Sequence, residues 1–157
     1  MPQPTYQNLL ALAEVRLFDV LGVTGTPEEE ERTAAELAAG VWDEFAASDL
    51  FEELPEEALA KMESFLNANA PENPDDTPAV DPNELIEVIR PFMPDIGERL
   101  ANRMLELKAN MFMERVGGLE SRFQNDPAKL AQVRDAADLG TQGQWAQAVQ
   151  QLNAATA

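Results

Sequence analysis

Residues 94 to 123 read PDIGERLANRMLELKANMFMERVGGLESRF, and the spacing of their apolar side chains decides the fold. Met93, Ile96, Leu100, Met104, Leu107 and Met111 recur every three or four positions and form one helical stripe. Leu105, Phe112, Val116, Leu119 and Phe123 form a second. At about 100° per residue the two are offset by roughly a third of a turn, with Lys108, Arg115 and Arg122 near or between them. A straight helix with two greasy faces has two neighbours. The first half is expected to pack on the acidic N-terminal part of the chain and the second half on whatever follows. Gly117 and Gly118 offer an alternative, a break with a short helix beyond, since each costs about 1 kcal/mol in a helix interior. They lack the lysine and hydroxyl pattern of a phosphate loop, so a hinge or close helix contact is the reading they support.

Working back toward the N-terminus, Pro91 and Pro94 bracket a rigid elbow, Arg90 to Asp95, in which Phe92 and Met93 have reason to be buried. Before it, Asp81, Pro82 and Glu84 open a short helix carrying Leu85, Ile86 and Ile89. Residues 69 to 81 hold Pro71, Pro74 and Pro78, too closely spaced for any helix, and read as a Pro-rich loop. Pro55 starts a helix with Leu59, Met62, Phe65 and Leu66. Thr26, Pro27 and Glu29 spell a capping box and a first-turn proline, starting a helix expected to run to about Ala47. Its buried stripe is Ala34, Leu37, Ala38, Val41, Trp42 and Phe45, and Ser48 or Asp49 breaks it. A first helix is expected over Tyr6 to Leu21, with Leu9, Leu10, Ala13, Leu17, Val20 and Leu21 on one face and Gly22 at its end.

Beyond the long helix, Asp126 and Pro127 begin a helix with Leu130, Val133, Ala137 and Leu139. A last one carries Trp145, Val149 and Leu152, and Gly140 and Gly143 make the tight turn of an antiparallel αα-hairpin. Leu numbers 18 against 9 Val and 3 Ile, and nothing alternates as a strand would. The fold class is therefore all-α: an irregular helical bundle with one long central helix and a C-terminal αα-hairpin. Residues 1–124 are expected to form an acidic helical domain with the Pro-rich loop 69–81, and residues 125–157 a hairpin packed on the long helix.

Charge is the other strong signal. Residues 1 to 92 carry 21 carboxylates against 4 cations, whereas residues 93 to 157 carry 8 against 7, within a total of −18. So acidic a first part repels nucleic acid and anionic lipid and favours basic protein surfaces. No stretch approaches eighteen consecutive apolar residues, and Met1 to Thr5 is not followed by a secretory pattern, so a soluble cytoplasmic protein is expected.

Catalytic chemistry finds little footing. The chain has no histidine and no cysteine, which removes thiolate nucleophiles, thiolate metal sites and the base that Ser48, Ser64 or Ser121 would need. Paired carboxylates are abundant, and abundance destroys their specificity. Asp75, Asp76 and Asp81 lack the spacing of a calcium loop. The run Glu28 to Glu31 suits the positive end of a helix dipole. No catalytic, cofactor-binding or metal-ligating residue is assigned, no cofactor is expected, and the protein is read as no enzyme. Met104 and Met111 fall on a core stripe, Met113 lies off both stripes as a surface candidate, and Trp42 and Trp145 are core anchors, with Trp145 partly exposed on so small a hairpin. The cations Arg99, Arg103, Lys108, Arg115 and Arg122 are best explained as pairing with the acidic part.

Leu21, Gly22, Val23, then Thr26 to Glu31, Leu54 to Leu66, and Phe92 to Ile96 resemble a family of small acidic helical proteins of unknown function from reduced-genome bacteria. The likeness spans roughly residues 9 to 113, and the loop 69–81 and the hairpin depart from it. It implies a bacterial, intracellular helical domain and transfers no site residue. Separately, Gly143, Trp145, Ala148 and Leu152 resemble the second helical start of a tetratricopeptide unit, without any repeat elsewhere. The expected function is a non-catalytic, protein-binding adaptor whose partner presents a basic surface, with no nucleic acid and no membrane. Alternatives are a carboxylate-based metal-dependent enzyme and a homo-oligomeric structural protein.

Overall fold

In the computed structural model, residues 6–68 and 82–157 are described. The expected Pro-rich loop at 69–81, the cap at Asp81 and the acidic trio Asp75, Asp76 and Asp81 lie outside them. The described residues are all-α, with eight α-helices and no strand: α1 (Leu17–Leu21), α2 (Pro27–Phe45), α3 (Phe51–Glu53), α4 (Glu56–Ala68), α5 (Pro82–Ile89), α6 (Ile96–Arg122), α7 (Pro127–Thr141) and α8 (Trp145–Thr156). A 3-10 helix at Leu9–Glu14 precedes α1, and a π turn at Ala46–Leu50 joins α2 to α3.

The chain forms two compact units, divided elsewhere than at residue 124. The terminal unit joins the chain up to Ala38 with Asn102–Ala157, and the middle unit is Ala39–Ala101. The physical reason is that the apolar N-terminal segment supplies core to the C-terminal hairpin. Leu12 and Val20 are buried with Leu105, Ala109, Phe112, Val116, Leu119 and Phe123 of α6 and with Val133, Trp145, Val149 and Leu152. In the middle unit Phe45, Leu54, Ala58, Met62, Leu85, Ile89, Met93 and Ile96 form a second core. The elbow at Phe92 and Met93 is part of it, with Met93 buried and Phe92 half-buried.

The two stripes of α6 separate accordingly. The second is buried throughout its length in the terminal unit. The first splits: Ile96 is buried and Leu100 half-buried in the middle unit's core, whereas Met104, Leu107 and Met111 are only half-buried. The helix runs unbroken through Gly117 and Gly118, whose α-carbons have nothing within 4 Å where a side chain would stand. They mark neither a break nor a close helix contact.

Local chemistry sets several helix boundaries. At the start of α2 the Thr26 hydroxyl accepts from the Glu29 amide at 3.2 Å and the Glu29 carboxylate accepts from the Thr26 amide at 3.2 Å, a closed capping box. Asp126 accepts from the Lys129 amide at 3.2 Å and caps α7. Ser48 does not stop α2. Its hydroxyl donates to the Glu44 carbonyl at 2.9 Å, and the helix passes into the π turn and on through α3. Gly140 lies inside α7 rather than after it, with Trp145, Met113 and Phe112 against its α-carbon.

The expected helix over Tyr6 to Leu21 is two pieces. Val15 (ψ 129°) and Arg16 (ψ 139°) are extended between the 3-10 helix and α1. Leu10 is 73% exposed and Ala13 is exposed, so neither joins the face proposed for them. The break turns carbonyls outward from the segment, and those carbonyls find partners on α6.

Candidate functional site

Two features of the structure have chemistry beyond packing: the surface charge of the middle unit and the polar seam between the N-terminal segment and α6.

Ala39–Ala101 carries 16 carboxylates against Lys61, Arg90 and Arg99, a net of −13 within the total of −18, and the terminal unit carries the remaining 13 carboxylates against 8 cations. Every carboxylate whose side chain is described there is exposed, from Asp43 and Glu44 through Glu56, Glu57 and Glu63 to Asp95 and Glu98. The cations are engaged close by. Arg99 bonds Glu53 and, at 3.3 Å, Asp95; Arg90 meets Glu87 at 2.7 Å; Lys61 meets Glu57 at 3.9 Å and lies 5.3 Å from the ring centre of Phe92. Among the described residues no three carboxylates come together as a metal ion would require. Field strength is what this surface offers.

The seam in the terminal unit is built by two cations seven positions apart on α6. Lys108 donates to the carbonyl of Leu12 at 2.8 Å and to that of Val15 at 2.6 Å. Arg115 donates to the Val20 carbonyl at 3.2 Å and to the Thr156 hydroxyl at 3.3 Å. Burial pushes both groups below their ordinary values, and for Lys108 the charge of Glu30 works in the opposite direction. The Asn153 amide donates to the Asp19 carbonyl at 3.0 Å. At the far end the Trp145 indole N–H donates to the Gln7 carbonyl at 2.9 Å, the Asn8 amide donates to the Gly143 carbonyl at 3.3 Å, and the Tyr6 hydroxyl donates to Asn110 at 2.6 Å. Tyr6 and Phe112 each meet the Trp145 ring edge-on, with centroids 5.7 and 5.8 Å away. Burial, followed by the charge of Glu106, raises the Tyr6 phenol above its usual value.

Residues singled out in the sequence fall as follows. Glu28 to Glu31 sit at the start of α2, where Glu29 closes the capping box and Glu30 pairs with Arg16 at 2.8 Å, raising the Arg16 guanidinium. Trp145 is fully buried, more so than expected of a small hairpin, because the N-terminal segment covers it. Met113 is half-buried against the terminal unit's core rather than a free surface residue. Lys108 and Arg115 serve backbone carbonyls, whereas Arg99 does pair with carboxylates as expected of the cations. Arg122 lies 5.4 Å and Lys129 5.1 Å from the ring centre of Phe123. The carbonyl-binding role of Lys108 and Arg115 was not read from the sequence. Its signal was there, in cations lodged between buried positions on the second stripe.

No protein-family model matches this chain, and no curated protein or solved structure is significantly similar to it.

Proposed function

We propose that this is a non-catalytic adaptor that binds another protein through a basic surface, with the middle unit supplying the field that draws the partner in. The observation that carries this reading is the concentration of 16 carboxylates against 3 cations on Ala39–Ala101, exposed wherever their side chains are described. Like charges held on one small unit repel each other and lower stability, a cost that a cationic partner relieves. Such complementarity accelerates encounter and discriminates against acidic partners more than it adds raw affinity. The protein is proposed to act in the cytoplasm, in keeping with the absence, among the described residues, of any helix long and apolar enough to cross a membrane.

Affinity capture with the full chain at low and high salt tests this, compared with a variant in which Glu56, Glu57 and Glu63 are replaced by Gln. Partners should be basic proteins, lost at high salt and weakened in the variant. Partners retained equally by the variant and at high salt would remove the electrostatic role. A chain that captures only itself would favour a homo-oligomeric structural protein instead.

A further inference from the structure

We infer that residues 6–15 form a strap that opens separately from the rest of the terminal unit, with Lys108 as its clasp. Four observations converge on this. The strap's only regular structure is a six-residue 3-10 helix with no side-chain cap at its N-terminus. Such helices have poor hydrogen-bond geometry and little stability of their own. Its apolar hold is mostly partial: Leu12 alone is fully buried, Tyr6, Leu9, Ala11 and Val15 are half-buried against the terminal unit's core, and Leu10 points to solvent. By contrast α1 buries Leu17, Phe18 and Val20 within five residues.

The extended pair Val15 and Arg16 then divides the strap from α1, so opening of one need not unwind the other. Finally, beside this partial packing the strap is held by polar pegs: Tyr6 on Asn110, the Gln7 carbonyl on Trp145, Asn8 on Gly143, and the carbonyls of Leu12 and Val15 on Lys108. Lys108 is the only one of these residues that holds two strap carbonyls. Remove its donors and the Val15 carbonyl, half-enclosed, regains a partner most readily by swinging out into water. What the strap covers is the Trp145 ring, fully buried and edge-on to Phe112 beneath Tyr6. Opening therefore bares an aromatic surface that the closed state hides. Arg115, bonded to the Val20 carbonyl, holds α1 in place and belongs to the fixed part.

Native-state hydrogen exchange on the full wild-type chain is the first test. The amides of Ala11 and Val15, bonded to the Asn8 and Leu12 carbonyls, should exchange through an opening that is nearly independent of denaturant and at least about 10-fold faster than exchange at Val133 and Leu152. Lys108→Met should accelerate Ala11 and Val15 by about another 10-fold while leaving α7 and α8 unchanged, and Lys108→Arg should restore protection. In a Trp42→Phe background, acrylamide should quench Trp145 more strongly in Lys108→Met than in its parent. The inference is overturned if strap and hairpin amides exchange with one common denaturant dependence, if Lys108→Met leaves the strap unchanged, or if that variant unfolds as a whole.

Discussion

The guanidinium of Arg115 lies against the α-carbon of Gly22, in the space that a side chain there would fill. Gly22 ends α1 at φ 67°, with its amide donating to the Asp19 carbonyl at 3.2 Å. Both the left-handed backbone and the close approach require glycine. Gly22→Ala should therefore cost about 1 to 2 kcal/mol from the backbone alone and more through displacement of Arg115. Gly117→Ala and Gly118→Ala should do the reverse, each adding about 0.5 to 1 kcal/mol, because nothing stands near either α-carbon on an exposed helix face. Urea denaturation of the three variants measures both signs.

Leu10 and Leu12 distinguish the observed 3-10 segment from a continuous α-helix. Leu12 is fully buried and Leu10 is 73% exposed. Leu12→Ala should destabilise by about 2 to 5 kcal/mol, whereas Leu10→Ala should stay within about 0.5 kcal/mol of the parent. Equal losses at the two positions would contradict the observed burial.

The capping box at α2 should be measurable by itself. Thr26→Ala removes the acceptor for the Glu29 amide and should cost about 1 kcal/mol. Thr26→Ser or Thr26→Asp keeps an acceptor in reach and should recover most of it. Thermal melts at one pH are sufficient, since no histidine titrates near neutrality.

Alkaline pH pulls the strap's chemistry two ways. The folded Tyr6 phenol titrates above 10.0, so from 10.0 upward the unfolded chain has released a proton that the folded chain keeps. Stability from this group is lost as pH rises through that window. Lys108 runs the other way: its folded pKa lies below 10.5, so the unfolded chain holds a proton that the folded chain has shed, and stability from this group rises with pH up to 10.5. Melting temperatures followed from about pH 9 to about 11 should decline less in Tyr6→Phe than in wild type and more in Lys108→Met.

Where local chemistry decides a boundary, the sequence carried it. Thr26 with Glu29, Asp126 with Pro127 and the glycine at 143, which takes φ 81°, could each be read because the group that caps or turns the chain lies within three residues of what it acts on. The two faces of α6 were legible for the same kind of reason, since periodicity on one helix needs no knowledge of its neighbours. The break at Val15 and Arg16 was not. No glycine or proline marks it, and the donor that makes it tolerable, Lys108, is 93 positions away from Val15. The division into units was missed likewise, because a linear window cannot know that Leu12 shares a core with Trp145. As for function, charge polarity was visible from the start, while the share carried by Ala39–Ala101, 16 carboxylates against 3 cations, emerged only once the chain was folded.

The π turn at Ala46–Leu50 leaves the chain's length negotiable at one place. A π turn takes up a surplus residue without rotating what comes after it, as an ordinary helical turn would by about 100°. Shortening 46–50 by one amino acid should thus restore a regular spiral while Phe45 and Leu54 keep their shared orientation. The same deletion in the middle of α6 would throw every later side chain out of phase.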